Sequence, residues 1–110
     1  MKKENRIRKN EEFKRIIALK RSFASHEYII YYDDRLLDHA RFGISVSKKL
    51  GKAHIRNKIK RQLRMMISSL IDFENYNFDV IVIVRKEYLN NSFEDNKKSL
   101  AKALKKVRIM

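Results

Sequence analysis

The sequence predicts an α+β fold over residues 1–110, in which helices pack against one β-sheet. Segments with an apolar residue at every third or fourth position alternate along the chain with short segments rich in β-branched and aromatic residues. The 110 residues, 44% of them hydrophobic, suffice for one hydrophobic core. Pro is absent and only two Gly are present, so the composition gives no sign of a linker. We therefore expect a single domain.

The first helix is predicted to begin at Asn10. Asn10 is a favourable N-cap residue, and the two glutamates that follow it would face the positive end of the helix dipole. Phe13, Ile16 and Ile17 recur at helical spacing, with Lys20 one turn later, so they share one side of the segment. This spacing indicates an amphipathic helix.

Two strands are predicted between this helix and the centre of the chain. Residues 28–32 are aromatic or β-branched throughout, which is typical of a strand, and Asp33 and Asp34 are expected to make the turn after it. Residues 41–46 alternate polar or small side chains with apolar ones, which predicts a second strand. Its buried face is expected to consist of Phe42, Ile44 and Val46.

The second half of the chain predicts a long helix, a strand and a last helix. Gly51 breaks the chain, and an apolar stripe then predicts a helix over residues 53–70. Residues 80–84 are apolar at every position, which is typical of a strand covered on both faces or central in a sheet. Ser92 and the acidic residues after it mark the start of the last helix. The apolar positions are Ile55, Ile59, Leu63, Met66 and Leu70 in the long helix, and Phe93, Leu100, Leu104 and Val107 in the last one.

The charge of the chain is strongly one-sided. Lys and Arg number 27 against 13 Asp and Glu, which gives a net charge of +14. Residues 39–71 contain no carboxylate at all, and two further basic groups lie in residues 2–21 and 97–108. So much positive charge would repel itself in an isolated compact protein, so we expect a polyanionic partner. Nucleic acid is the favoured partner, and an anionic membrane surface or an acidic protein are the alternatives.

The acid-free segment can form a fixed array of phosphate-binding groups on the long helix. Asn57, Arg61 and Arg64 stand at i, i+4 and i+7 and share a face, with Arg56 and Lys60 in a neighbouring row. Arg binds phosphate in a planar, bidentate way, and Lys supplies a mobile point charge. The simpler interpretation of these residues is a solvated helix face, but such a face normally carries both signs of charge. The candidate RNA-binding residues are Lys48, Lys49, Lys52, Arg56, Asn57, Lys58, Lys60, Arg61 and Arg64.

Aromatic residues favour single-stranded RNA over a duplex. Neighbouring residues of a strand point to opposite faces, so Tyr31 and Tyr32 cannot both be buried on one face. We expect at least one of these rings to face outward or into a groove. A ring beside cations can stack on an unpaired base without reading its identity.

Catalytic and membrane patterns are poor by comparison. The three histidines lie far apart, and none has the i, i+4 partner of a helical metal site. Asp33, Asp34 and Asp38 are close enough to hold a hydrated Mg²⁺, but a turn and a polar loop explain them more simply. There is no nucleophile elbow and no Gly-rich phosphate loop. The chain has no Cys, which suits a reducing cytosol, and neither a membrane span nor a secretory signal is predicted.

Three segments together resemble the protein component of bacterial ribonuclease P. They are residues 6–16, residues 41–53 and residues 56–61, the last at the position of that family's Arg-Asn-Arg signature. The resemblance implies a small α/β sandwich with a four-stranded sheet, about three helices and a left-handed β-α-β crossover. It also implies that residues 56–64 lie near the RNA subunit, and that a cleft holds the leader of the substrate. Matching cleft positions are occupied here by Phe13, Ile17 and Tyr31.

The resemblance further implies how this chain takes part in catalysis. A large RNA would carry the catalytic centre and cleave the 5′ leader from precursor tRNA in the cytoplasm, using bound Mg²⁺. The protein would be a non-catalytic subunit of an endoribonuclease, with no tightly bound cofactor and no need of a membrane or a protein partner. A structural RNA-binding protein, such as a ribosomal protein, is the alternative.

Three positions differ from the family pattern. Lys58 stands where the signature has a second Arg, so it keeps the charge but loses the bidentate geometry. Ile17 stands where an aromatic residue is common, so one stacking ring is missing. The Gly that often follows the first helix is replaced in residues 19–21, so we expect that turn to differ.

Overall fold

The computed structural model describes residues 1–109, which form three α-helices and a four-stranded mixed sheet. The helices are α1 (Asn10–Ala18), α2 (Ala53–Leu70) and α3 (Phe93–Ile109). The strands are β1 (Ser22–Ala24), β2 (Tyr28–Asp34), β3 (Phe42–Ser45) and β4 (Phe78–Val84). Short 3₁₀ helices span Lys3–Asn5, Lys48–Leu50 and Lys86–Asn90. The predicted α+β fold class and the order of its elements are confirmed.

The sheet has the strand order β1-β2-β4-β3. β4 lies between β2, to which it is antiparallel, and β3, to which it is parallel. The parallel pair is joined through α2, which makes a β-α-β crossover, and the left hand of that crossover stays a prediction. Beyond β3 the N-terminal segment continues the sheet, since Arg6 forms a parallel bridge with Phe42.

The two faces of the sheet carry cores of different size. On one face, alternate residues such as Tyr28, Ile30 and Val82 pack against α2 and α3 in the main core. On the other face, Ile81 packs with Ile16 of α1 in a much smaller cluster. The all-apolar strand predicted for residues 80–84 is therefore the buried, central strand of the sheet.

Paired arginines fasten α1 and the edges of the sheet. Arg41 donates to the fully buried carboxylate of Asp79 at 3.0 Å through Nη2, and it also pairs with Glu12 on α1. Burial disfavours the charge of Arg41, but these two carboxylates outweigh it and raise the pKa of Arg41. Arg15 on α1 binds Asp33 at 2.8 Å. Asp33 also accepts from Arg21 at 3.4 Å, so one carboxylate joins α1 to the start of β1.

Three local predictions from the sequence are wrong. Asn10 is the first residue of α1 and not its N-cap, because the extended residue before the helix is Lys9 and no side chain caps α1. Asp33 and Asp34 do not form a turn but end β2, where they pair with Asp79 and Phe78 of β4. Lys20 lies beyond the end of α1 rather than on its apolar side.

The residues after α1 adopt a left-handed turn without the expected glycine. Lys20 has φ 56° and donates its N–H to the carbonyl of Ile17 at 3.1 Å, which closes the helix end. A left-handed conformation is strained for a residue with a Cβ. The three-residue strand β1, which no sequence pattern predicted, follows directly and pairs with β2 at the edge of the sheet.

The start and end of the long helix agree with the prediction for residues 53–70. Gly51 adopts φ 145°, a conformation that favours glycine, and so redirects the chain before α2. Of the predicted apolar stripe, Ile59, Leu63 and Met66 are buried, and its two end residues pack partly against the core. Ile67 is also fully buried, although the predicted stripe did not include it.

Candidate nucleic-acid interface

The predicted array of basic groups lies on the outside of α2 and at its entrance. The buried residues of α2 fix its rotation against the core, and the basic side chains consequently point away from it. Six of the nine candidate residues are exposed, and Arg56, Lys60 and Arg64 are half-buried. Within residues 1–109, none of the eight cations among them forms an ion pair with a carboxylate. We call this set the α2 basic surface: Lys48, Lys49, Lys52, Arg56, Asn57, Lys58, Lys60, Arg61 and Arg64.

The entrance to α2 is ordered by backbone contacts. Ser47 accepts the N–H of Lys49 at 3.2 Å and starts the 3₁₀ turn that carries Lys48 and Lys49. Arg56 folds back and donates its Nε–H to the carbonyl of Gly51 at 3.2 Å. No side chain caps α2 at Lys52, so the positive end of the helix dipole adds to the charge of the three lysines.

The N-terminal segment extends the α2 basic surface with two arginines that the sequence analysis did not single out. Ile7 donates its N–H to the carbonyl of Phe42 at 3.0 Å, which places the segment beside β3. Arg6 and Arg8 then line a small pocket of about 100 Å³ together with Lys60 and Arg64. Burial and the nearby charge of Arg6 lower the pKa of Arg64, as expected for cations gathered without an acid. The alternation Arg6-Ile7-Arg8, typical of a strand, was the signal available in the sequence.

A groove of about 480 Å³ lies between α1 and the strand β3. Phe13, Lys14 and Ile17 line it from α1, Ser45 and Val46 line it from the β3 side, and Lys60 reaches it from α2. Two of the three predicted leader-binding residues, Phe13 and Ile17, therefore share one groove. Because Lys60 also belongs to the α2 basic surface, the groove and that surface are continuous.

Gly43 makes room for the aromatic side chain at the groove. A Cβ at this position would lie 2.7 Å from Cζ of Phe13 and 2.9 Å from Cδ1 of Ile81, closer than van der Waals contact allows. The buried glycine in β3 thus lets the Phe13 ring rest directly on the sheet. The part of the Phe13 side chain that stays exposed forms part of the groove wall.

The third predicted cleft residue, Tyr31, lies on the same face of the sheet but does not line the groove. Its ring is half-buried against the cluster that contains Ile16 and Ile81. Tyr32 is buried in the main core on the opposite face, so the prediction that these neighbouring rings separate is confirmed. Tyr31 and Phe13 thus pack against the same small cluster, although only Phe13 lines the groove.

The comparisons with known proteins agree on one family. A family model described as Ribonuclease P matches residues 1–108. The Ribonuclease P protein component of Mesoplasma florum is 43% identical over 103 residues, with 93% of this chain and 94% of that protein covered. The RNase P protein of Staphylococcus aureus superposes with a TM-score of 0.83 at 37% identity, covering 94% of each chain. That of Thermotoga maritima gives a TM-score of 0.78 at 30% identity, over 92% of this chain and 96% of the other.

This chain belongs to the ribonuclease P protein family. As a ribonuclease P protein component it is a subunit of an endoribonuclease, and its partner in that holoenzyme is RNA. The nucleic-acid partner expected from the charge of +14 is thus confirmed. Among residues 1–109, no helix combines the length and the apolar character that crossing a membrane requires.

A larger cavity of this ribonuclease P protein, about 900 Å³, lies away from the α2 basic surface. Glu4, Asp38, Asp72 and Glu74 contribute to its lining, so its charge is unsuited to a polyanion. His39 lies there with Nδ1 at 2.8 Å from Asp38 and Nε2 at 2.9 Å from the carbonyl of Glu4. These two hydrogen bonds raise the pKa of His39, and the bond from His39 lowers the pKa of Asp38. In the described part of the chain, no three His, Asp or Glu side chains gather into a metal site.

Proposed function

We propose that the α2 basic surface binds the catalytic RNA of ribonuclease P and that the groove receives the single-stranded 5′ leader of precursor tRNA. On this proposal, residues 1–110 act as one RNA-binding domain that promotes the 5′ maturation of tRNA in the cytoplasm. The observation that carries it is the position of Lys60, which lies both in the α2 basic surface and in the wall of the groove. One RNA-binding surface thus leads directly into the other.

The α2 basic surface suits a folded RNA because its charges are fixed and unpaired. Arg61 and Lys58 project from a helix whose other side is buried, so the backbone that carries them is in place before RNA arrives. Little backbone freedom is therefore lost when RNA binds to this surface. Each phosphate that a cation neutralises releases counterions, so binding should weaken steeply as salt rises.

The groove suits an unpaired strand rather than a duplex. Phe13 and Ile17 provide an apolar wall on which a base can stack, and Lys14 and Lys60 stand at the same groove for the phosphates. Stacking on an aromatic ring contributes about 1–3 kcal/mol per base and tolerates any base. Tyr31, beside Phe13 on the same sheet face, offers a second ring to a leader that continues past the groove. Recognition of this kind fits leaders of varied sequence.

Magnesium belongs to the RNA in this proposal. Mg²⁺ prefers carboxylate and other oxygen ligands, and residues 39–71, which include the whole α2 basic surface, contain no carboxylate. These residues therefore do not fit as Mg²⁺ ligands. Their positive charge instead reduces the repulsion between the phosphates of the catalytic RNA and those of the substrate. Tighter substrate binding and higher Mg²⁺ occupancy of the RNA would both follow.

Reconstitution with the cognate RNA subunit tests the proposal. Cleavage of precursor tRNA is measured at low Mg²⁺ with the RNA alone, with the protein alone and with both together. We expect cleavage at the 5′ end only when the RNA is present, with a large gain on adding the protein. No gain from the protein would favour a structural RNA-binding protein, such as a ribosomal protein. Cleavage by the protein alone would instead indicate a free-standing nuclease.

A further inference from the structure

The basic residues of α3 play no part in the proposal above, and apart from the half-buried Lys97 they fall into two kinds. Lys106 and Arg108 are held against rings, with Nζ of Lys106 4.8 Å from the centroid of Phe23 and Cζ of Arg108 5.6 Å from that of Tyr76. Three other lysines at i, i+4 and i+7 are exposed and form no ion pair within residues 1–109. We call them the α3 lysine ridge: Lys98, Lys102 and Lys105.

The α3 lysine ridge stands on a rigid base. Leu100 and Leu104 of α3 are buried in the main core, on the side of the helix opposite the ridge. Two buried tyrosines fasten the helix backbone, since Tyr28 donates its hydroxyl to the carbonyl of Asn96 at 2.9 Å and Tyr76 donates to that of Leu104 at 2.8 Å. The three ammonium groups are therefore carried by a backbone that is fixed at both ends.

The ridge and the groove lie on opposite sides of the sheet. α3 packs with Ile30 and Val82 in the main core, whereas α1 and the groove adjoin the small cluster around Ile81 on the other face. A strand lying in the groove would have to pass around the sheet to reach the ridge. The ridge is thus placed to contact a different stretch of RNA.

We propose that the α3 lysine ridge binds a base-paired segment of RNA through its phosphates, a segment other than the strand in the groove. The proposal rests on the RNA-binding function proposed above. Lys98 and Lys105 are about 10 Å apart along the helix axis, as seven residues of rise require. A row of lysines without Arg or Asn supplies point charges for phosphates. It lacks the bidentate donors that recognise the edges of bases.

Two features of α3 favour a base-paired backbone over an unpaired strand or an anionic membrane. The ridge carries no aromatic residue on which an unpaired base could stack, so a single strand gains less from it than a duplex backbone does. The apolar side of α3 is buried in the core, so the helix cannot insert an apolar face into an anionic membrane. The acidic residues Glu94 and Asp95 lie in the first turn and limit the positive surface to the rest of the helix.

A charge-matched pair of variants provides the first test. Lys98→Gln/Lys105→Gln removes two charges from the ridge, and Lys3→Gln/Lys86→Gln removes two from exposed lysines that belong to neither the ridge, the α2 basic surface nor the lining of the groove. Binding of the RNA subunit is measured over a range of salt concentrations, and circular dichroism verifies that both variants are folded. We expect the log–log salt slope of the ridge variant to fall by about 1.8, since each duplex phosphate contact contributes about 0.9. Equal slopes for the two variants would overturn the proposal.

A tethered cleavage reagent provides the second test. The chain has no Cys, so Lys102→Cys gives a single site for an iron chelate that generates hydroxyl radicals in the assembled holoenzyme. We expect cuts on both strands of a base-paired segment, distinct from those made by a chelate at Lys58→Cys on the α2 basic surface. If only the Lys58 position cuts, or if both cut the same nucleotides, the ridge proposal is wrong and the proposed function stands. If neither position cuts, the proposed function fails as well.

Discussion

Two groups of basic side chains in this protein have opposite surroundings. The eight cations of the α2 basic surface lie on one helix and its entrance. Within residues 1–109, none of them forms an ion pair. Around α1, by contrast, Arg15 and Arg41 each bind a carboxylate, and the carboxylate of Asp79 is fully buried. The first group is left free for phosphates, whereas the second stabilises the fold.

This difference shows that the position of the carboxylates decides whether a cation stabilises the fold or stays free to bind phosphate. Arg41 belongs to the acid-free segment of the sequence, yet the sheet places it against Asp79, which is far away in the chain. Arg61 belongs to the same segment, but within residues 1–109 it forms no ion pair with an acid.

The largest effect is expected from removing the buried carboxylate. Asp79→Ala should lower the free energy of unfolding by about 3 kcal/mol, the lower end of the range for a broken buried ion pair, because Arg41 loses its buried carboxylate and keeps only Glu12. Asp79→Asn, which keeps the shape, tests the charge alone if the first variant is too unstable. Urea unfolding measures both, with Asp34→Ala at the exposed end of β2 as the control. Equal and small losses for Asp79 and Asp34 would contradict a structural role for this pair.

At the α2 basic surface, we expect a substitution to weaken RNA binding and to leave the stability of the fold unchanged. Arg61→Ala should weaken binding of the RNA subunit by about 1.5–3 kcal/mol, the contribution of a charge-assisted hydrogen bond. It should leave the free energy of unfolding unchanged within about 0.5 kcal/mol, because the side chain is exposed. Lys86→Ala, at an exposed lysine elsewhere, controls for the general loss of charge. An unfolded Arg61 variant would mean that this residue is structural.

Variants of Tyr31 distinguish the contribution of base stacking to RNA binding from that of charge. Tyr31→Ala should weaken the binding of precursor tRNA by about 1–3 kcal/mol and spare mature tRNA, because only the former has a leader base to stack on the ring. The salt slope should not change, in contrast with Arg61→Ala. Tyr31→Phe keeps the ring and its contacts in the small cluster, so it should bind like the wild type. Equal losses for precursor and mature tRNA would argue against a leader contact.

Lys20 is a basic residue that we expect to affect stability mainly through its backbone conformation and not through its charge. Lys20→Gly should raise the free energy of unfolding by about 1 kcal/mol, because glycine adopts the left-handed φ of 56° without a Cβ penalty. Lys20→Ala removes the same charge and keeps the strain, so it should bring no such gain. Thermal unfolding compares the two variants. A gain from Lys20→Ala equal to that from Lys20→Gly would point to charge repulsion and not to backbone strain.

The parts of the fold that sequence patterns predicted correctly depend on neighbours in the chain. Gly51 and the apolar stripe after it define α2, and Ser92 marks the start of α3 by accepting the N–H of Asp95 at 3.1 Å. These signals act within one or two helical turns. The apolar run of β4 predicted its central position for the same reason, since every residue in it needs cover.

The parts that the patterns did not predict depend on pairing between distant segments. Asp33 looks like a turn residue by itself, but β4 and the arginines around it hold it in a strand. Arg6 joins the basic surface only because its segment pairs with Phe42. Similarly, spacing alone could not bring Phe13 and Lys60 to one groove, and the family resemblance was what indicated a cleft. Tyr31 is displaced from the groove wall because it packs against the small cluster below α1.

His39 is an intermediate case, a cation whose charge depends on pH, and it should give the smallest effect. Both ring nitrogens face acceptors, Asp38 and the carbonyl of Glu4, so only the protonated ring can donate to both. The pKa of His39 is raised in the folded state, so its contribution to stability is complete below its ordinary pKa and disappears as pH rises through the raised value.

The measurement for His39 compares urea unfolding of the wild type and of His39→Gln at pH 5.5 and pH 8, values chosen on either side of the ordinary pKa of about 6.5. We expect the difference between the two proteins to be larger at the acidic pH and small at both, because the pair is open to solvent. His26→Gln, at an exposed histidine, is the matched control for the loss of an imidazole ring. A larger difference at pH 8 would mean that the neutral ring holds the N-terminal segment, and that His39 belongs with neither the paired nor the free cations.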